Sequence, residues 1–174
     1  LLYFRHTGTI TRTIAIGAIR EANMKTKEEI RAIYLQLGQW REKAEKLIRN
    51  CLERLTYKYD YYLHAEDTHR WIESDGWYEL EYVLLSHADP NLRIYLDTYS
   101  TSDQEFQDEW STEGGKDIEF SEMCIENDLW GMQQILTNLT ENETVKKCLE
   151  EFQQDIDAVL AVDAFAASKA EQEK

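Results

Sequence analysis

WYELEYVLL, residues 77–85, is the stretch that decides the fold. Tyr78, Leu80, Tyr82 and Leu84 share one parity, and Trp77, Glu79, Glu81 and Val83 share the other. A period of two belongs to a strand with one buried face, and the tyrosine and leucine side is the one predicted to meet the core. YKYDYYLHA (57–65), HRWIES (69–74) and LRIYLDTYS (92–100) have the same aromatic and branched texture, and eight of the ten tyrosines lie between 57 and 99. These segments read as further strands. Asp75-Gly76 offers the positive-φ turn of a tight hairpin before residue 77, and SHADPN (86–91) offers a longer turn before the last strand. The expected sheet is an antiparallel β-meander of three to four strands.

Helices flank it. Thr26-Lys27-Glu28-Glu29 has the form of a capping box, and Ile30, Ile33, Leu37, Trp40, Ala44, Leu47 and Cys51 follow at alternating steps of three and four. Ile48, Leu52 and Leu55 widen that stripe, which predicts a long helix to about Tyr57. A second box at 102–105 predicts a short acidic helix to about Trp110, stopped by Gly114-Gly115. DLWGMQQILTNL (128–139) reads as another short helix. Thr140-Glu141-Asn142-Glu143 is expected to cap a final helix bearing Val145, Leu149, Phe152, Ile156 and Val159. Residues 25–58 hold nine bases and five acids, whereas 141–163 hold two bases and seven acids, so the first and last helices should pack together or on the same sheet face. The expected fold class is α+β, with long N-terminal and C-terminal helices packed on the meander. Residues 24–174 are expected to form a single domain. Residues 1–23 read as a basic N-terminal extension, in which Ile10, Arg12, Ile14 and Ile16 alternate as in a strand.

A chain of 174 residues can bury about two thirds of its unfolded surface. With 43% hydrophobic residues and one proline, composition excludes a disordered or collagenous protein. The net charge is −15, and its placement is uneven: residues 1–58 carry a net +6 and residues 59–174 a net −21. Ten carboxylates and one base, Lys116, fall between 101 and 130. Such a surface repels nucleic acid and anionic membranes, because phosphate binding requires cations. Direct nucleic-acid or membrane binding is therefore not expected, and a basic partner is. Cys51, Cys124 and Cys148 form an odd set without CxxC spacing, which points to free, buried thiols and a cytoplasmic setting. Two Asn-x-Thr triplets, at 138–140 and 142–144, weigh less than the thiols.

No catalytic motif stands out. HAEDTH (64–69) holds His64, Glu66, Asp67 and His69, but a gap of five residues keeps both imidazoles off one helical face. They could converge only if 64–69 formed a turn between strands. There is no GxSxG, no glycine-rich phosphate loop and no plainly activated cysteine. Neither an enzyme nor a metal or other cofactor is expected. The aromatic sheet is a poor platform for bases, since residues 60–128 carry 19 acids against 3 bases.

The charge itself carries the functional reading. Alternate residues of a strand lie about 6–7 Å apart, so Glu79 and Glu81 would present carboxylates at close to the spacing of successive phosphates. Asp103, Glu105, Asp108, Glu109, Glu113, Asp117 and Glu119 continue the series, with Trp110 as an apolar anchor. The expectation is a non-catalytic acidic protein that inhibits a basic, nucleic-acid-binding enzyme or complex by charge mimicry. In size, charge and lack of motifs the chain is similar to phage and mobile-element inhibitors of bacterial defence, anti-CRISPR proteins among them, and an inhibitor of a nuclease has the same mechanism. That similarity covers general properties and no motif. The alternative is a structural or assembly protein that forms a homodimer or larger oligomer through its heptad-patterned helices.

Overall fold

The computed structural model describes residues 26–72, 77–102, 115–125 and 128–164. The expected strand at 10–16, the Asp75-Gly76 turn and residues 103–110 of the expected acidic helix lie outside the described residues.

Helix α1 (Lys27–Lys58) starts as its sequence predicts. Thr26 Oγ1 accepts from the Glu29 N–H at 3.2 Å, and Glu29 Oε2 accepts from the Thr26 N–H at 2.7 Å. Two orphan amides of the first turn are thereby satisfied. Leu37, Ala44, Leu47, Ile48, Cys51, Leu52 and Leu55 are buried, and Ile33 and Trp40 pack at the margin. At 1.5 Å per residue the helix is about 48 Å long, more than a ten-residue strand of about 33 Å can cover. Leu35, two positions from both Ile33 and Leu37, lies off the buried stripe and is 67% exposed.

Strands β1 (Tyr61–Ile72), β2 (Trp77–Ser86), β3 (Arg93–Ser102) and β4 (Lys116–Ile118) form one antiparallel sheet in the order β3-β2-β1-β4. The α+β class and the meander β1-β2-β3 are as the sequence predicts. Two details differ. The segments at 57–65 and 69–74 are not separate strands: Tyr57 and Lys58 finish α1, and residues 61–72 run as one strand. No glycine or proline interrupts 66–68 to make a turn, and a register shift between Asp67 and Trp71 absorbs the irregularity instead. The fourth strand is the short β4, paired with β1 through Leu63–Ile118, His64–Asp117 and Ala65–Lys116.

Leu80, Tyr82 and Leu84 of β2 are buried with Leu63 and Ala65 of β1, Ile94 and Leu96 of β3, and Ile118 of β4. This is the face predicted to meet the core. A bulge interrupts β2–β3 between Tyr82, which pairs with Asp97, and Val83, which pairs with Tyr95. The extra residue, Leu96, turns into the core.

All helices with a described sheet contact lie on this face. Asp128 caps α2 (Leu129–Glu141), whose Leu129, Met132, Ile135, Leu136 and Leu139 are buried against β3 and α1. The C-terminal segment is divided: α3 (Glu143–Cys148), a 3₁₀ turn (Glu150–Phe152) and α4 (Gln153–Leu160). Its cap is Asn142, which accepts from the Thr144 and Val145 N–H groups, and not Thr140, whose hydroxyl donates to the Leu136 carbonyl inside α2. Val145, Leu149, Ile156 and Val159 still reach the core as their spacing predicts, while Phe152 is half-buried.

The expected pairing of first and last helical segments is present and centres on Arg54. Its guanidinium pairs with Glu151, donates from Nε to the Cys148 carbonyl at 3.0 Å, and lies 5.9 Å from the Tyr59 and Phe152 ring centres. Gln133 ties α2 to the end of α4 by donating to the Val159 and Val162 carbonyls, each at 2.8 Å.

Candidate functional site: the outer face of the sheet

The parity that buries Leu80 and Tyr82 sends Glu79 and Glu81 to the opposite face. Strand pairing then sets their neighbours. Glu66 of β1 stands directly across from Glu81, and one row further Asp117, His64 and Val83 line up across β4, β1 and β2. Rows are about 6–7 Å apart and strands about 4.8 Å apart, so Glu66, Glu79, Glu81 and Asp117 share a compact area. Among the described residues, no helix lies over it.

The area is not uniformly negative. Arg93 pairs across from Leu85 on β3, yet its Nη2 lies 2.5 Å from Glu66 Oε2 and 3.2 Å from Glu81 Oε2. To reach them its stem must pass the row of Val83, which is fully buried although it lies on the outer face. Asp117 is also engaged: its Oδ1 lies 2.7 Å from His64 Nδ1. A carboxylate that orients an imidazole is the pairing used in general-base sites. Here the other ring nitrogen, Nε2, sits beneath Gly115, where an added Cβ would come within 2.9 Å.

Gly115 makes this approach possible. Its φ of +107° is one that side-chain-bearing residues rarely adopt, and an added Cβ would meet the Ala65 carbonyl oxygen at 2.3 Å. Residues 119–122 then form a turn, in which Glu122 Oε2 accepts from the Glu119 N–H at 2.7 Å and Glu122 Oε1 lies 3.7 Å from Lys116 Nζ.

Of the predicted interaction residues, Glu79 and Glu81 are half-buried on the outer face, while Asp117 and Glu119 are exposed on and beside β4. Asp103, Glu105, Asp108, Glu109, Trp110 and Glu113 lie outside the described residues. Glu66 belongs with the first group, as the parity of 61–66 would have indicated. Residues 64–69 lie within β1, so no turn brings His64 and His69 together. Among the described residues no group of three or more His, Cys, Asp or Glu is placed to hold a metal ion, and no helix is long and apolar enough to cross a membrane.

The thiols differ from one another. Cys51 is fully buried, and burial, reinforced by Asp155, pushes its pKa up to about 12. Cys148 is half-buried and raised chiefly by the same desolvation, whereas Cys124 is exposed and departs from the expectation of a buried thiol.

Comparison with protein-family models, with curated proteins and with solved structures gives no match.

Proposed function

We propose that the chain is a non-catalytic acidic protein that binds a basic, nucleic-acid-binding enzyme or complex and inhibits it by charge mimicry. The observation that carries this reading is the division of the sheet: the described helices pack on one face, and Glu66, Glu79, Glu81 and Asp117 gather on the other. The concentration of charge supports it, since compact like charges cost stability unless something offsets them. Arg93 offsets part of that charge from within, and a cationic groove would offset the remainder. Free thiols at Cys51, Cys124 and Cys148 are in keeping with a reducing cytoplasm.

The test is capture from a bacterial lysate at low salt, with duplex DNA as competitor. A basic protein should be retained, released by DNA and released by roughly 0.5 M salt, where the screening length falls below about 5 Å. Glu79→Lys combined with Asp117→Lys and Glu119→Lys should abolish capture, and three reversals at Glu143, Glu150 and Asp157 should not. Equal loss in both sets, or capture indifferent to DNA, would refute the reading.

The alternative of assembly through helices draws support from Leu35, an exposed leucine on the outward side of α1. Light scattering separates the two readings. An oligomer held by apolar helix contacts persists from about 0.05 to 0.5 M salt, whereas an electrostatic complex does not.

A further inference from the structure

Where β4 ends, α1 and β1 leave a cleft of about 310 Å³ walled by Tyr57, Tyr61, Tyr62 and Phe120. Asp117, Glu119 and Glu122 also line it. The walls are held from several sides. Arg49 of α1 donates from Nη1 to the Phe120 carbonyl at 3.2 Å, which fixes the turn after β4. The Phe120 ring meets Tyr57 edge-on, with centroids 6.2 Å apart and planes at 89°. Tyr62 stacks on His87 at 4.2 Å. Despite these contacts Tyr57 remains 67% exposed, so the mouth of the cleft presents an aromatic ring to solvent.

The three acidic residues are not equivalent. Asp117 faces His64, and Glu122 is taken up by the Glu119 N–H and Lys116. Glu119 is exposed, and among the described residues its carboxylate has no side-chain partner. Aromatic faces carry negative potential, and several of them beside an unneutralised carboxylate attract a cation and repel a phosphate or another carboxylate. The volume is at the small end for a ligand pocket and suits one side chain. Between the two basic side chains, a guanidinium stacks flat on rings and forks to a carboxylate, whereas an ammonium keeps more of its hydration.

We infer that this cleft takes the guanidinium of a single arginine projecting from the basic partner, stacked among Tyr57, Tyr62 and Phe120 and paired with Glu119. The biological source of the arginine rests on the proposed function, but the chemistry of the cleft can be tested without it.

The probe is N-acetyl-arginine methylamide, titrated into the full chain while the aromatic ring resonances are followed by NMR. Saturable shifts confined to Tyr57, Tyr62 and Phe120 are expected. Glu119→Gln and Tyr57→Ala, both at exposed positions, should each weaken binding about fivefold, the range of one cation–π or charge-assisted contact. An unchanged thermal midpoint for each variant excludes unfolding as the cause. The lysine analogue should bind more weakly, and N-acetyl-glutamate methylamide should leave the rings unshifted. Shifts spread over all acidic regions, a lysine analogue that binds as tightly, or variants with undiminished affinity would overturn the inference. If the probe binds but no basic protein is captured from lysate, the charge-mimicry reading fails and the cleft stands. If a basic protein is captured while the titration is flat, the cleft fails and the reading stands.

Discussion

Glu66 and Glu81 face each other across β1 and β2, and a single guanidinium, that of Arg93 on β3, holds both carboxylates. Like charges directly opposed on a sheet destabilise it. Arg93→Ala should therefore lower stability by about 1 kcal/mol in low salt, a figure already reduced for the partial exposure of all three side chains. Adding Glu81→Gln should restore most of the loss. Urea denaturation of the two single variants and the double variant measures the coupling, and an additive cycle would contradict it.

Arg54 makes the densest polar link between α1 and the C-terminal helical segment, through Glu151 and the Cys148 carbonyl. Arg54→Met keeps the stem but leaves that carbonyl without its donor. A loss of about 2 kcal/mol is expected, the scale of a hydrogen bond to a charged group. Hydrogen exchange should quicken in residues 143–160 before it does so in β2.

Gly115→Ala combines an unfavourable positive φ with a clash against the Ala65 carbonyl oxygen. A loss of about 2 kcal/mol or more is expected, by strain at a glycine-only conformation. Because β4 is only three residues long, it should detach from β1. The amides of 116–118 would then lose protection from exchange while β2 and β3 keep theirs. An unaltered thermal midpoint would show that this segment docks differently.

Alkaline pH should unfold the protein through groups whose protons burial retains. Cys51 is raised from 9.0 to about 12 by desolvation and then by Asp155. Tyr82 is raised from 10.0 to about 12, again chiefly by desolvation, while a hydrogen bond with the Cys124 backbone pulls the other way. A folded-state pKa above the unfolded one means that the native state binds more protons. The stabilisation is thus complete below about pH 9 and disappears as pH climbs towards 12. Denaturant midpoints between pH 8 and 11 should decline, and Cys51→Ala should flatten part of that decline.

Thiol labelling at pH 8 should distinguish three classes. Exposed Cys124 should react first, half-buried Cys148 slowly, and Cys51 at the rate of global unfolding. Rapid reaction of two or more thiols in the native protein would contradict the packing around α1.

The parts of the fold legible in the sequence are those coded by short-range periodicity. The α1 stripe from Leu37 to Leu55, the Thr26 box and the alternation around Tyr82 each specify their element within a few residues. Where the structure differs, the deciding interaction is remote. β4 exists because Gly115 lets the chain approach Ala65, fifty positions earlier, and nothing in Lys116–Ile118 signals a strand by itself. Thr140 and Asn142 are both competent caps, and the register of α2 assigns the role to Asn142. At the candidate site, the parity of Glu79 and Glu81 could be read directly. The link from Arg93 to Glu66 could not, because a pair separated by 27 positions depends on β1 and β3 flanking the same strand.

The bulge opposite Tyr82 has a consequence for how copies of the molecule meet. Among the described residues β3 is one rim of the sheet, ten residues long, and such a rim tends to zip onto a neighbour's backbone. Leu96 breaks the even spacing of its amides, and Asp97 sets a carboxylate in register with the inward tyrosine, so a second chain laid alongside would fall out of step halfway. A bulge so placed works against ribbon-like stacking of crowded copies along this side.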